Sequence, residues 1–238
     1  MMEMKLIQKT NDSIRIVADL NISLANAIRR SVNEIPILAI DEVDIYKNDS
    51  ALYDEIIAHR LGLVVLKNQK IKGSAKIEMK MKAKCKGDQT KVVAGMLGDL
   101  VVHPETLIVL IDEGKEIELV ARAAVGKGID HAKYSPGVIF YKHLPKIKIS
   151  GGGEKQTELA EIYPEIFEMF GNKLKVRDAT AGDIDMEDIL NYPGIEIDFD
   201  NNLVIDIESW GQINSAEVFT EACKALKANL SKVLKAIK

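Results

Sequence analysis

The last two dozen residues constrain this chain more than any other stretch. From about Ser215 to Ile237, the residues Phe219, Cys223, Leu226, Leu230, Val233 and Ile237 follow one another at spacings of four, three, four, three and four. An apolar residue every three or four positions, sustained over nearly three heptads, is the seam of a helix that lies along a long partner surface. Asn214 and Glu217 make a capping pair at its start, Glu221 sits in its early turns, and Lys232, Lys235 and Lys238 lie where the helix dipole favours cations. At about 1.5 to 3 kcal/mol per large apolar side chain fully buried, the seam is worth on the order of 10 kcal/mol. It fits a helix pair across an interface at least as well as a short sheet of its own chain.

Just before this helix, Ile195, Ile197 and Phe199 alternate, Asp200-Asn201-Asn202 reads as a turn, and Leu203, Ile205 and Ile207 alternate back. The chain begins on the same plan. Met4 to Ile7 and Ile14 to Val17 are strand candidates around the turn-forming Thr10-Asn11-Asp12-Ser13. A helix follows, with Ser23 as its cap and Pro36 as its stop. Leu24, Ile28, Val32 and Ile35 recur at helical spacing, while Arg29 and Arg30 share the other side. Two hairpin-plus-helix units at opposite ends predict one discontinuous α+β domain, with everything between inserted into it.

After Pro36 the period changes to two, through Ile37, Ala39, Val43 and Ile45. A short helix is predicted next, with Leu52, Ile56 and Leu63 on one side and His59 and Arg60 beside them. Ile77, Met79, Met81, Ala83 and Cys85 then alternate with Glu78, Lys80, Lys82 and Lys84, which reads as a strand whose outer, lysine-rich face is solvated. Leu107 to Ile111 is a buried-strand run, and Ile117, Leu119, Ala121 and Ala123 alternate again, enough for an antiparallel sheet. The segment GKGIDHAKYSPG, Gly126 to Gly137, lacks the spacing and the hydroxyl residue of a phosphate-binding loop. No motif ties His131 or Lys133 to a nucleophile or carboxylate, so both read as structural. Gly151-Gly152-Gly153 opens a flexible connection into a third region. There the acidic cluster Asp183, Asp185, Glu187 and Asp188 lacks the glycine and distal glutamate of a calcium loop and reads as a charged helix start.

Composition narrows the function classes. With 238 residues, 47% hydrophobic and 29% charged, this is an ordinary soluble globular chain with room for two or three domains. A net charge of −4 gives no general drive toward nucleic-acid phosphates. No apolar run approaches the roughly 20 residues of a membrane helix, and the start MMEMKLIQKT has no signal-peptide core, which predicts a cytoplasmic protein. Two distant cysteines, Cys85 and Cys223, have no metal-ligand spacing. The four histidines, His59, His103, His131 and His143, show no spacing that gathers them into a catalytic pocket.

Three stretches carry a resemblance: LANAIRR (24–30), IPILAIDEVDIYKNDSALYDEIIAHRLGLVVL (35–66) and HAKYSP (131–136). Together they resemble the D-subunit family of archaeal DNA-directed RNA polymerases, related to the eukaryotic third-largest polymerase subunit and the bacterial alpha amino-terminal domain. Tyr134 replaces the tryptophan usual in the third stretch. The resemblance implies a discontinuous dimerisation domain, residues 1–38 and 194–238, formed by an antiparallel sheet with two helices. It carries an inserted β-rich domain, 39–150, and a ferredoxin-like region, 151–193. In that last region Pro164 with Glu165, a hairpin around Gly171-Asn172 and a helix from Met186 to Leu190 match the family. The iron–sulfur cysteines do not: Tyr163 stands where a cysteine precedes the proline, and none occurs from Asp183 to Tyr192. Without thiolates no cluster is held there, so no cofactor or metal is expected.

The function implied is that of a non-catalytic platform subunit of DNA-dependent RNA polymerase. It would pair with subunit L, be joined by the small zinc-binding subunits N and P, and nucleate assembly of the large catalytic subunits, meeting DNA only through the complex. Nucleotide addition in this family takes place at metal-binding aspartates of a large subunit, so no catalytic residue is expected here. The candidates for the L interface or its immediate support are Leu24, Ile28, Phe219, Leu226, Leu230 and Val233. Arg29, Arg30, His59 and Arg60 are those for large-subunit contact, since exposed arginines make bidentate anchors.

Overall fold

The computed structural model describes residues 3–69, 76–181 and 186–237, without the side chains of 186 and 187. In chain order the elements are β1 (Met4–Lys9), β2 (Ser13–Ala18), α1 (Ile22–Ser31), β3 (Pro36–Asn48), α2 (Asp54–Gly62), β4 (Ile77–Lys84), β5 (Gln89–Val93) and β6 (Leu107–Asp112). They continue with β7 (Glu116–Lys127), β8 (Gly137–Ile149), α3 (Glu158–Ile162), β9 (Phe167–Phe170), β10 (Lys173–Val176), α4 (Met186–Leu190), β11 (Ile195–Ser209) and α5 (Ser215–Ile237). This is a mixed α+β chain with antiparallel sheets. It divides into two units, the first made of Met1–Gln8, Arg15–Ala25 and Phe140–Asp206, the second of Lys9–Ile14, Asn26–Ile139 and Ile207–Lys238.

The first unit is built on a four-stranded sheet in the order β1-β2-β11-β8. Its strands come from both chain ends and from β8, a segment that the sequence alone groups with the insert. The expected hairpin over 195–207 is instead one continuous 15-residue strand, β11. Ile195, Ile197, Phe199, Leu203, Ile205 and Ile207 are all odd-numbered, so the two-residue phase runs unbroken through the polar triplet. Lys146 holds the Asp200 carboxylate at 2.9 Å and His143 Nδ1 donates to its carbonyl at 3.2 Å, which anchors the triplet as strand rather than turn. On neighbouring strands Arg15 Nε donates to Asp206 Oδ1 at 2.5 Å.

Residues 151–193 have their own small core of Leu159, Ile166, Phe167, Leu174 and Ile189. The hairpin expected around Gly171 forms, with Lys173 opposite Phe170 and Gly171 at φ +63°. The helix Met186–Leu190 also forms. The triple glycine is not a loose connection. It is a 3-10 turn in which buried Gly153 lies so close to the Gly194 carbonyl that an added Cβ would sit 2.5 Å from that oxygen. Of the acidic cluster, Asp183, Asp185 and the Glu187 side chain lie outside the described residues.

The second unit carries the three-stranded antiparallel sheet β3-β7-β4 and the β5-β6 pair, over a core that includes Leu38, Ile57, Leu61, Leu66, Met81, Ile108 and Leu119. The β4 alternation is as expected: Met79, Met81 and Ala83 are buried, Glu78, Lys80, Lys82 and Lys84 exposed. The outer face is an ion-pair mosaic. Arg122 reaches Asp44 at 2.7 Å and Glu78 at 2.9 Å, and Lys82 reaches Glu118 at 2.5 Å.

Two helix details depart from the expectations. At α1 the cap is Asn21, whose Oδ1 accepts from the Ser23 N–H at 2.8 Å, because its carbonyl also starts the helix by accepting from Ala25. On α2 the inward residues are Ile57 and Leu61, both 0% exposed, while Ile56 and Leu63 point outward. Of the stripe expected from the sequence, Leu52 packs against the core and Ile56 and Leu63 face outward.

Candidate assembly surfaces

The start of α5 is tied down from several sides. Asn214 Oδ1 caps the Glu217 N–H at 2.9 Å, the Ser215 N–H donates to the Asn11 carbonyl at 3.1 Å, and the Ser215 hydroxyl to the Thr10 carbonyl at 3.3 Å. Ser215, Val218 and Ala222 form its buried stripe, and the helix packs on the 3-10 turn Val32–Glu34. This stripe is displaced from the heptad seam by about one residue. Phe219, Cys223 and Leu226 on the seam are half-buried, and burial pushes the Cys223 thiol pKa up. Beyond them Leu230, Val233 and Ile237 are 58%, 56% and 77% exposed, and Leu234 joins them at 63%. The last two turns thus present bare aliphatic surface.

The remaining candidates divide. Leu24 is exposed, whereas Ile28 is buried within the chain, where it supports a surface rather than forming one. Arg29 grips Asn26 Oδ1 through Nε and Nη2 (3.1 and 2.9 Å), and Arg30 is exposed. His59 is exposed, and Arg60 donates to the Ile108 carbonyl at 2.6 Å, fastening α2 to β6.

The HAKYSP segment is a clasp. Tyr134 is buried, its hydroxyl donates to Asp41 Oδ1 at 3.0 Å, and Lys133 Nζ reaches the same oxygen at 2.8 Å. Lys133 first and Tyr134 second hold the Asp41 carboxyl below the usual carboxylate range. Burial, then Asp41, pushes the Tyr134 phenol up to about 12. The His131 ring accepts from the Lys133 N–H at 3.1 Å, a local turn contact rather than acid–base chemistry. Two glycines make the clasp close. A Cβ at Gly126 would lie 2.5 Å from the Tyr134 ring, and one at Gly137 would strike the Glu208 carbonyl.

This clasp brings the two other stretches together. Arg29 and Val32 line one cleft beside it, Leu63 and Val65 line another, and the two clefts share Ala132, Ser135 and Trp210. Trp210 and Asp41 were not singled out in the sequence. A lone tryptophan after a strand carries no pattern, and Asp41 matters only because the fold lays residue 133 over it.

An exposed apolar helix end, a fixed loop with clefts on both sides and no gathered catalytic group among the described residues define a protein built to be paired and docked. The chain belongs to the RNA polymerase Rpb3/Rpb11 dimerisation domain family, whose model matches residues 16–230. It is similar to DNA-directed RNA polymerase subunit Rpo3 of Thermococcus kodakarensis, 37% identical over 177 residues, covering 68% of this chain and 67% of that one. It is 31% identical to Rpo3 of Methanosphaera stadtmanae over 268 residues (98% and 97% of the two chains) and 28% identical to Rpo3 of Archaeoglobus fulgidus over 265 (100% and 98%). No described helix is long and apolar enough to cross a membrane.

Proposed function

We propose that the chain is the non-catalytic assembly subunit of a cytoplasmic archaeal DNA-dependent RNA polymerase. It pairs with the small subunit L along the α5 seam, with Leu24 contributing and Ile28 in support. The platform so formed receives the small subunits N and P and the large catalytic subunits. Arg29, Arg30 and His59 serve contact with a large subunit, and Arg60 positions α2 for it. DNA is reached only through the complex.

The observation that carries this reading is the bare second half of the seam in a chain of a dimerisation family. Burying Leu230, Val233, Leu234 and Ile237 at about 1.5 to 3 kcal/mol each is a driving force on the order of 6 to 12 kcal/mol before the costs of association. In this reading residues 151–193 are a ferredoxin-like region that has lost its cluster. Two cysteines in the whole chain, Cys85 in the core and Cys223 on α5, support that loss. Tyr163 and Tyr192 line the surface there beside Asp188 and Asn191. The test is a light-scattering mass of the chain alone and mixed with L from the same source. A one-to-one complex is expected, and a monomer indifferent to L would overturn the proposal.

A further inference from the structure

We infer that the lysines along one edge of the α5 seam choose its partner. They turn away a second copy of this chain and accept a helix with an acidic edge, the chemistry that the facing surface of L must then carry. The inference rests on the assembly reading above.

The seam itself creates the need for such a device. Leu230, Val233, Leu234 and Ile237 are all more than half exposed, and every copy of the chain carries the same stripe. A bare apolar stripe does not discriminate, so two copies would cover each other unless another feature opposed it.

Charge supplies that feature. The acids of α5, Glu217 and Glu221, lie in its first two turns, whereas Lys224, Lys227, Lys232 and Lys235 follow without a carboxylate among them. The helix end is thus basic in a chain whose net charge is −4. Lys224 is paired with Glu221 at 2.7 Å. Lys227, Lys232 and Lys235 are exposed, and among the described residues no carboxylate reaches them. In the folded body, by contrast, Lys127 reaches Glu34 and Lys133 reaches Asp41, both at 2.8 Å.

Placement decides what these charges do. At 3.6 residues per turn, Lys227 falls about 20° past Leu234, at the edge of the bare stripe, with Lys224 and Lys235 further round the same side. The other edge, Ala222, Asn229 and Ala236, is uncharged. The two flanks of an apolar seam set partner choice in a helix pair. A second copy laid antiparallel would bring the two lysine edges together. Laid parallel, it would set Leu234 against Asn229 and leave Lys227 without a partner. A helix that meets the stripe with apolar residues and Lys227 with a carboxylate satisfies both, and Lys232 and Lys235 add attraction within the roughly 10 Å over which salt leaves charges effective.

The test begins with calorimetric titration of the full chain with L at about 50 and about 500 mM salt. Pairing should be about tenfold weaker at the higher salt. The triple variant Lys227→Glu, Lys232→Glu, Lys235→Glu should pair at least about tenfold more weakly than the parent at the lower salt. All three side chains are exposed, so the variant should fold as the parent does. Mixed with the parent in equal amounts, it should form one-to-one parent–variant pairs in native mass spectrometry, under conditions where the parent forms none with itself. An affinity for L that neither salt nor charge reversal changes overturns the inference and leaves the assembly reading standing. Parent chains that pair with each other as readily as with the variant overturn it too. A chain that does not pair with L at either salt takes down both readings.

Discussion

Strand β4 and helix α5 are the two most periodic stretches of the chain, and the fold treats them in opposite ways. On β4 the apolar alternation turns inward: Met79, Met81 and Ala83 are 5%, 1% and 7% exposed, Ile77 is half-buried, and on the outer face Lys82 pairs with Glu118. On α5 the chain buries a different stripe, Ser215, Val218 and Ala222, and leaves the end of the regular seam bare. Periodicity declares that an apolar face exists; it does not say which molecule covers it. The strand's partner is its own sheet, whereas none of the described residues covers the end of the helix.

The sharpest break of this comparison is Leu230→Asp combined with Val233→Asp. Both side chains are more than half exposed, so the free chain should fold as before. Placing two carboxylates in an apolar interface removes two anchors and buries two charges, so pairing with L should weaken by at least about a thousandfold, measured by light scattering or calorimetric titration. Normal pairing would show that the seam is not the interface. Next in size is a matched pair of truncations. Met81→Ala should cost about 2 to 5 kcal/mol in urea unfolding of the free chain, through transfer and cavity terms. Leu230→Ala should cost less than about 0.5 kcal/mol there and show its effect only on pairing. If Leu230→Ala destabilised the free chain as much as Met81→Ala, α5 would be covered by its own chain and the contrast would fail.

What the sequence made legible follows the same division. β4, β6, β7 and the extent of α5 were readable because a local period or apolar run decides them, while the small hairpin at Gly171 was read from the family resemblance. The misreadings came where composition and phase disagree. In β11 the polar triplet Asp200-Asn201-Asn202 looks like a turn, yet the odd-numbered phase continues through it, and phase rather than composition predicts the strand. On and just past α2, Ile56 and Leu63 face outward while Ile57 and Leu61, residues of the same two types, fill the core, so residue type alone does not say which side is buried. The candidate surfaces were legible only in part. Leu230 and Val233 lie on a countable period, while the Trp210 cleft is made from residues near 63, 103, 135 and 210, whose meeting no local pattern encodes.

The clasp gives the smallest effect and isolates a part of the fold that neither face touches. Tyr134→Phe removes one hydrogen bond to Asp41, which Lys133 still holds, so the cost should be about 1 kcal/mol of stability with pairing to L unchanged. Its pH dependence identifies the bond. Folding lowers the Asp41 pKa, so that carboxylate's contribution is present above its unfolded value near 4 and is lost as pH falls through its lower folded value. Folding raises the Tyr134 pKa to about 12, so the neutral phenol contributes fully below its unfolded value near 10, and the contribution fades as pH rises through about 12. The stability difference between the parent chain and Tyr134→Phe should therefore be flat between about pH 5 and 9 and shrink on both sides. Urea unfolding from pH 3 to 11 reads it directly. A difference that stayed constant over that whole range would mean that the Tyr134 hydroxyl does not bond the ionised Asp41, and that the loop is held by the packing of the ring against Gly126 instead.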